Sequence, residues 1–149
     1  MIPVNTSVVA GVALSQFGNE TKLLLMKRTK EGYWCHVAGK IEQGELAWQA
    51  MIREFMEETQ IEVNSLYNGE YLEQFYEANS NQLLIIPSFV VVCPPEQKVV
   101  LNSEHTDFKW CSLEDAKSMV PFPNQRLLYD HVWQHFVINP PSEFLRITL

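Results

Sequence analysis

Five charged residues, Glu45, Arg53, Glu54, Glu57 and Glu58, fall within fourteen positions of a stretch that otherwise reads as one amphipathic helix, GELAWQAMIREFMEET. At about 100° per residue, Glu54, Glu57 and Glu58 of a helix over positions 46–58 lie within roughly a quarter-turn. They share that arc only with Ala47 and Ala50. Trp48, Met51, Ile52, Phe55 and Met56 take a broad opposite side suited to a core. Like charges three and four residues apart cost a helix roughly 0.2–0.5 kcal/mol per pair, and Arg53, four residues before Glu57, offsets only part of this. A hard divalent cation would offset the rest, because Mg²⁺ and Mn²⁺ take oxygen ligands and Mg²⁺ combines one or two carboxylates with substrate phosphates. A solvated acidic face is the other reading of such a run.

Order and spacing favour the cation. Gly39, five residues, Glu45, seven residues, then Arg53-Glu54-Phe55-x-Glu57-Glu58-x-x-Ile61 resembles the signature of the Nudix hydrolases, G-x5-E-x7-R-E-U-x-E-E-x-G-U, where U is a bulky aliphatic residue. Six glycine or charged positions match at the right spacing. Gln60 stands in place of the late glycine, Phe55 in place of the usual aliphatic residue, and Ala38-Gly39 in place of a common Gly-Gly pair. These departures bear on loop geometry at the helix end and remove no carboxylate. The resemblance implies an α/β/α sandwich with a mixed β-sheet across nearly the whole chain, Mg²⁺ or Mn²⁺ as cofactor, and hydrolysis of a diphosphate linked to another group.

By that resemblance Glu54, Glu57 and Glu58 hold one or more cations that bridge phosphate oxygens and neutralise charge developing in the transition state. Arg53 orients Glu54 or Glu57, and Glu45 pairs with Arg53 or assists the metal shell. Water attacks phosphorus, and Glu57, Glu58 and Glu104 are the candidates for taking its proton. Glu104 sits in Ser103-Glu104-His105-Thr106-Asp107-Phe108-Lys109-Trp110 between two predicted strands, and a strand-end loop can point a carboxylate at a cleft. In many Nudix enzymes a glutamate of a later loop supplies a further metal contact. The E-H-x-x-x-x-W pattern here, with Asn124-Gln125-Arg126 before a terminal helix, resembles the branch that cleaves dihydroneopterin triphosphate.

The rest of the chain sets bounds. A length of 149 residues suits a single domain over residues 1–149 with a substantial core. Eleven Lys+Arg against 18 Asp+Glu give a net charge of −7, which argues against a nucleic-acid polymer as partner, since basic patches supply most of that affinity. A small phosphorylated substrate would then need a metal or local basic groups. Cys35, Cys93 and Cys111 are odd in number and far apart, so reduced, mostly buried thiols are expected. The opening residues MIPVNTSVV lack a basic region and a long apolar core, and the apolar run Leu83–Cys93, broken by Pro87, falls short of the roughly 20 residues of a membrane span. A cytoplasmic protein is expected, with no signal of oligomeric state.

Strands are predicted at Val4–Leu14 and Lys22–Arg28 around the turn at Phe17–Glu20, then at Tyr33–Val37. Glu42-Gln43-Gly44 form a turn before the helix, whose free N–H groups favour a phosphate. Extended segments follow at 61–63, Leu66–Ala78, Gln82–Cys93, Val99–Leu101 and His105–Cys111. Ser112 caps one helix, with an acid three residues on, and 124–137 forms the terminal one. Phe144–Leu149 suits an edge strand. For the substrate, Gly39 and Lys40 lie beside the acidic helix, Arg28 is a candidate phosphate ligand, and Trp34 with Tyr33 are candidates for stacking on a base. The favoured substrate is a nucleoside or pterin triphosphate. A nucleotide sugar or dinucleoside polyphosphate is the second, and a non-catalytic nucleotide-binding sensor the third.

Overall fold

The computed structural model describes all 149 residues. Strands β1 (Val4–Asn5), β2 (Val8–Phe17), β3 (Glu20–Arg28), β4 (Trp34–Cys35) and β5 (Val37–Lys40) precede helix α1 (Ala47–Thr59). After it come β6 (Leu66–Glu77), β7 (Gln82–Val92), β8 (His105–Cys111), α2 (Leu113–Met119), α3 (Pro123–Val132) and β9 (Arg146–Ile147). The strands form one mixed sheet in the order β4-β3-β2-β7-β6-β9, with β1 on β7, β5 on β2 and β8 on β3. The pairs β2–β7 and β1–β7 are parallel.

The central strands are apolar at successive positions because both faces of the sheet are covered. Val9 and Ala13 of β2, Leu24 and Met26 of β3 and Val91 of β7 meet Ala50, Met51 and Phe55 of α1. Their neighbours Val12, Leu14, Leu23, Leu25 and Val90 meet Ala116 of α2 and Leu128, Tyr129 and Val132 of α3. The period of two along each strand thus sorts one sequence into two cores. Helix α1 lies close on the sheet at Gly11, where a Cβ would stand 2.7 Å from a Phe55 ring carbon and 2.8 Å from Met51 Sδ. The large Phe55 at the aliphatic position is thereby accommodated by a small residue opposite.

Several expectations need correcting. The strand predicted at Val4–Leu14 breaks at Thr6-Ser7, because Asn5 Oδ1 accepts from Ser7 N at 2.8 Å and Ser7 Oγ at 2.6 Å and turns the chain. Tyr33–Val37 splits at His36 into a piece paired with β3 and a piece paired with β2. Val99–Leu101 is no strand despite its β-branched residues; Val100 N donates to Thr59 O at 2.9 Å and Ile61 N to Thr59 Oγ1 at 3.2 Å, so both flanking segments satisfy the end of α1 instead. The terminal helix continues past α3 in wider π-type turns over Trp133–Ile138, and the edge strand shrinks to β9, paired with β6. The hairpin β2–β3 and the Ser112 cap, whose Oγ accepts from Asp115 N at 3.2 Å, form as predicted. All three cysteines are free and buried. No helix is long and apolar enough to cross a membrane.

Candidate active site

Arg53 is the hub of the acidic helix. Its Nε and Nη2 donate to the two oxygens of Glu45 at 2.7 and 2.9 Å, a bidentate pairing of the strong kind. Nη1 donates to Glu54 at 2.8 Å and to Glu57 at 3.2 Å, and Nη2 also to the Lys40 carbonyl at 2.8 Å. One guanidinium therefore ties the loop before α1, the end of β5 and two of the carboxylates together. Glu45 also accepts from Glu42 N at 2.8 Å. Those bonds, the Arg53 one first, hold its carboxyl down at about 2. Glu45 is spent on Arg53 and the preceding turn.

The three carboxylates of the predicted arc differ in burial. Glu58 is only 2% exposed, Glu54 is mostly covered, and Glu57 is half open to solvent. Met56, assigned by the wheel to the core, is 45% exposed, since the helix presents its Met51 and Phe55 stripe more narrowly to the sheet. Gly39 explains how Glu54 is admitted: a Cβ at this position would overlap the Glu54 carboxyl group. Burial first, then the neighbouring carboxyl of Glu54 and the charge of Glu104, push Glu58 far above the ordinary carboxylate range.

The loop after residue 101 completes the cluster. Glu104 N donates to Asn102 Oδ1 at 3.0 Å, and Glu104 O accepts from Thr29 N at 2.9 Å, so the loop is pinned to the turn after β3. Ligand atoms of Glu58, Glu104 and His105 come within 4.8 Å of one another. His105 Nε2 stands 3.7 Å from Glu58 Oε1, and its pKa is lowered, by burial first. Glu58 Oε2 and His105 Nδ1 are buried without any partner. A buried carboxylate oxygen lacking a donor is costly by itself and is relieved by a cation. Glu54, Glu58 and Glu104, with Glu57 beside them, therefore fit a hard divalent ion through oxygen. His105, part of the E-H-x-x-x-x-W pattern but not selected as a site residue from the sequence, joins this group.

The proposed substrate residues divide. Lys40 is exposed at the end of β5 and its ammonium makes no ion pair. Arg28 is engaged with Glu31 at 2.6 Å and lies over the Tyr33 ring. Trp34 packs on the α3-side core and does not line the cleft that Tyr33 lines. Tyr33 instead lines a cleft of about 470 Å³ together with Phe75, Ile86, Phe122, His36 and Glu73. Ala38 lines it too, one residue before Gly39. This cleft joins residues 33–38, 73–76 and 122–125 with Ala10 and Ile86, and of its lining only Tyr33 was a candidate for binding substrate.

An acidic helix clamped by one arginine, a glycine that admits a carboxylate, and a mixed sheet covered by helices on both faces can be compared with known proteins. The chain is 36% identical over 113 residues to an octanoyltransferase of Myxococcus xanthus, which is 73% of this chain but 31% of that protein, so it spans less than a third of this relative. It is 35% identical over 96 residues to a bis(5'-nucleosyl)-tetraphosphatase (asymmetrical) of Caenorhabditis elegans, 63% of this chain and 69% of that one. The structure of the E. coli dihydroneopterin triphosphate pyrophosphohydrolase matches 93% of this chain and 99% of that one at 24% identity with a TM-score of 0.75, the same fold. The NUDIX domain model matches residues 6–131, which include every motif residue from Gly39 to Glu58 as well as Glu104, and the chain belongs to the NUDIX domain family.

Proposed function

We propose that this protein is a divalent-metal-dependent pyrophosphohydrolase that cleaves a nucleoside or pterin triphosphate to a monophosphate and pyrophosphate. One observation carries the reading: adjacent residues of β5 serve two sites, Ala38 lining the aromatic cleft and Gly39 lying against the Glu54 carboxyl. The two residues point to opposite faces of the sheet, but β5 pairs only with β2, so its open edge gives one extended substrate a path from a heterocycle in the cleft to phosphates at the carboxylates. The pattern Glu104-His105-x-x-x-x-Trp110 supports the pterin branch.

Mg²⁺ or Mn²⁺ held by Glu54, Glu57, Glu58 and Glu104 would supply charge neutralisation at the phosphate oxygens. The chain's own groups do the rest. Arg53 fixes Glu54 and Glu57 in place, and Lys40 offers an unpaired ammonium at the strand end for an outer phosphate. Water adds to phosphorus while the bridging P–O bond breaks and pyrophosphate departs. The water proton passes to Glu57 or Glu104, the carboxylates of this group that solvent reaches.

The test is turnover of a triphosphate panel with Mg²⁺ or Mn²⁺ in ¹⁸O-labelled water. Monophosphate and pyrophosphate are expected, with label in one of them marking the phosphorus attacked, and EDTA abolishing turnover. Release of inorganic phosphate alone would sink the assignment, and stoichiometric binding without turnover would point to a sensor. The 35% identity to the C. elegans tetraphosphatase favours a second reading, a dinucleoside polyphosphate hydrolase. Its products would carry a nucleoside on both fragments, which the same product analysis distinguishes.

A further inference from the structure

Three buried residues form a relay at the floor of the aromatic cleft. Tyr129 Oη lies 2.8 Å from His36 Nδ1, and His36 Nε2 lies 2.9 Å from Glu73 Oε1. Their exposures are 0%, 4% and 5%. Hydrogen-bond accounting assigns the protons. The Tyr129 hydroxyl has no other acceptor; with it donating to Nδ1, the Nε2–H of His36 donates to Glu73. Glu73 has then used one of its roughly four acceptor positions, and no lysine or arginine lines the cleft to balance it. Gln125, also buried and lining the cleft, has an Oε1 without a partner. Asn124 is already engaged, donating to Gln74 O at 3.1 Å and accepting from Tyr71 Oη at 3.1 Å.

We infer that Glu73, held by His36 and Tyr129, is a specificity-determining residue that accepts the paired N–H donors of a 2-amino-4-oxopyrimidine edge, as carried by guanine and by pterins. This rests on the cleft being where the group bearing the phosphates sits. Such an edge sets a ring N–H next to an amino group, so both face acceptors. Adenine and cytosine set an amino donor next to a ring-nitrogen acceptor, whose lone pair would meet the carboxylate. A site built around such hydrogen bonds discriminates by leaving its buried polar groups unpaired when the wrong partner enters. The walls suit a flat bicyclic ring: Tyr33 and Phe122 meet edge to face at 5.6 Å between centroids, with Phe75 and Ile86 beside them. Aromatic faces add stacking without choosing between heterocycles, which leaves the choice to Glu73 and Gln125.

The experiment compares kcat/KM for GTP, 7,8-dihydroneopterin triphosphate, ATP and CTP in wild type and Glu73→Gln. Alongside it, calorimetry measures metal-free binding of GMP, neopterin, AMP and CMP. GTP, dihydroneopterin triphosphate or both should exceed ATP and CTP by about 10–100-fold, chiefly in KM, and the two arms decide between guanine and pterin. Glu73→Gln keeps an acceptor for His36 and should remove most of that preference, lowering kcat/KM for GTP or dihydroneopterin triphosphate far more than for ATP and CTP. Tyr129→Phe should erode it in the same direction without touching substrate. Equal kcat/KM for all four substrates, or an equal loss for all four in Glu73→Gln, overturns the inference. Should Glu73→Gln fail to fold, the wild-type panel and the monophosphate binding decide alone. Selective binding of GMP or neopterin with no triphosphate turned over would uphold the inference and remove the hydrolase reading. Turnover without preference would do the reverse.

Discussion

Gly39→Ala tests whether the Glu54 carboxyl is held where the geometry puts it. The backbone at Gly39 lies in β5 with no positive φ, so alanine fits the main chain. The added Cβ overlaps the Glu54 carboxyl, and either that side chain swings out or the helix lifts. Overpacking of this kind costs about 1–3 kcal/mol, while removing a glycine from the unfolded chain returns about 0.4–1 kcal/mol. A net loss of about 1–2 kcal/mol follows, or about 3–6 °C in Tm for a chain of this size. Activity should fall further, by on the order of 10²-fold, because a misplacement of about 1 Å suffices for that.

The decisive assay is the double-mutant cycle. In a Glu54→Ala background the obstacle is gone, and Gly39→Ala should become neutral or stabilising by up to about 0.5 kcal/mol, a change of sign that reports the contact itself. Thermal melts of the four proteins, without metal, read it directly. An equal loss of stability in both backgrounds would show that Gly39 is needed for something other than Glu54, and the close approach would be refuted.

Glu57→Gln and Glu58→Gln should each lower kcat by on the order of 10²–10⁴, and wild-type activity with unchanged metal dependence in both would remove the site. Because burial raises the Glu58 pKa above its unfolded value, the unfolded chain gives up this proton first as pH rises, so metal-free stability should fall above about pH 5. Melts in EDTA across pH should show that slope flattened in Glu58→Gln, and an unchanged slope would contradict the assignment. Gln60 caps α1 in the left-handed region at φ 57°, where a non-glycine residue costs about 1–2 kcal/mol, so Gln60→Gly should raise Tm by a few degrees after the glycine's own entropy cost; a lower Tm would deny the strain. Glu104→Gln should lower kcat with stability within about ±0.5 kcal/mol of wild type, whereas a large stability loss at normal activity would make it structural.

The helix, its carboxylates and both layers of the sandwich were legible in the sequence because they follow local signals, the 3.6 period along α1 and the continuous apolar runs of β2 and β3 around their turn. Neighbours far along the chain decided what was not. Glu58 reads as a cleft residue on the wheel, yet it is covered where the His105 loop closes over it, and no period of α1 records that loop. Val99–Leu101 has the composition of a strand but is drawn to the carbonyl at the end of α1. Glu73 was not among the residues the sequence singled out. Only the fold brings it against His36 and Tyr129, 37 and 56 residues away in sequence.

Strand β5 is where local and distant constraints meet. It pairs with the first half of β2, Val8–Gly11, while β3 pairs with the second half, from Leu14 on. One edge of β5 is therefore not covered by β3, and its side chains alternate between the α1 side and the cleft side of the sheet. Val37 and Gly39 face α1, one filling the core and the other admitting Glu54; His36, just before the strand, and Ala38 face the cleft. The small Ala38 keeps the cleft open and the absent side chain at Gly39 keeps the carboxylate close. A bulky residue at Ala38 would fill the cleft and one at Gly39 would displace the Glu54 carboxyl, which gives a physical reason for two small residues in succession at this point of the chain.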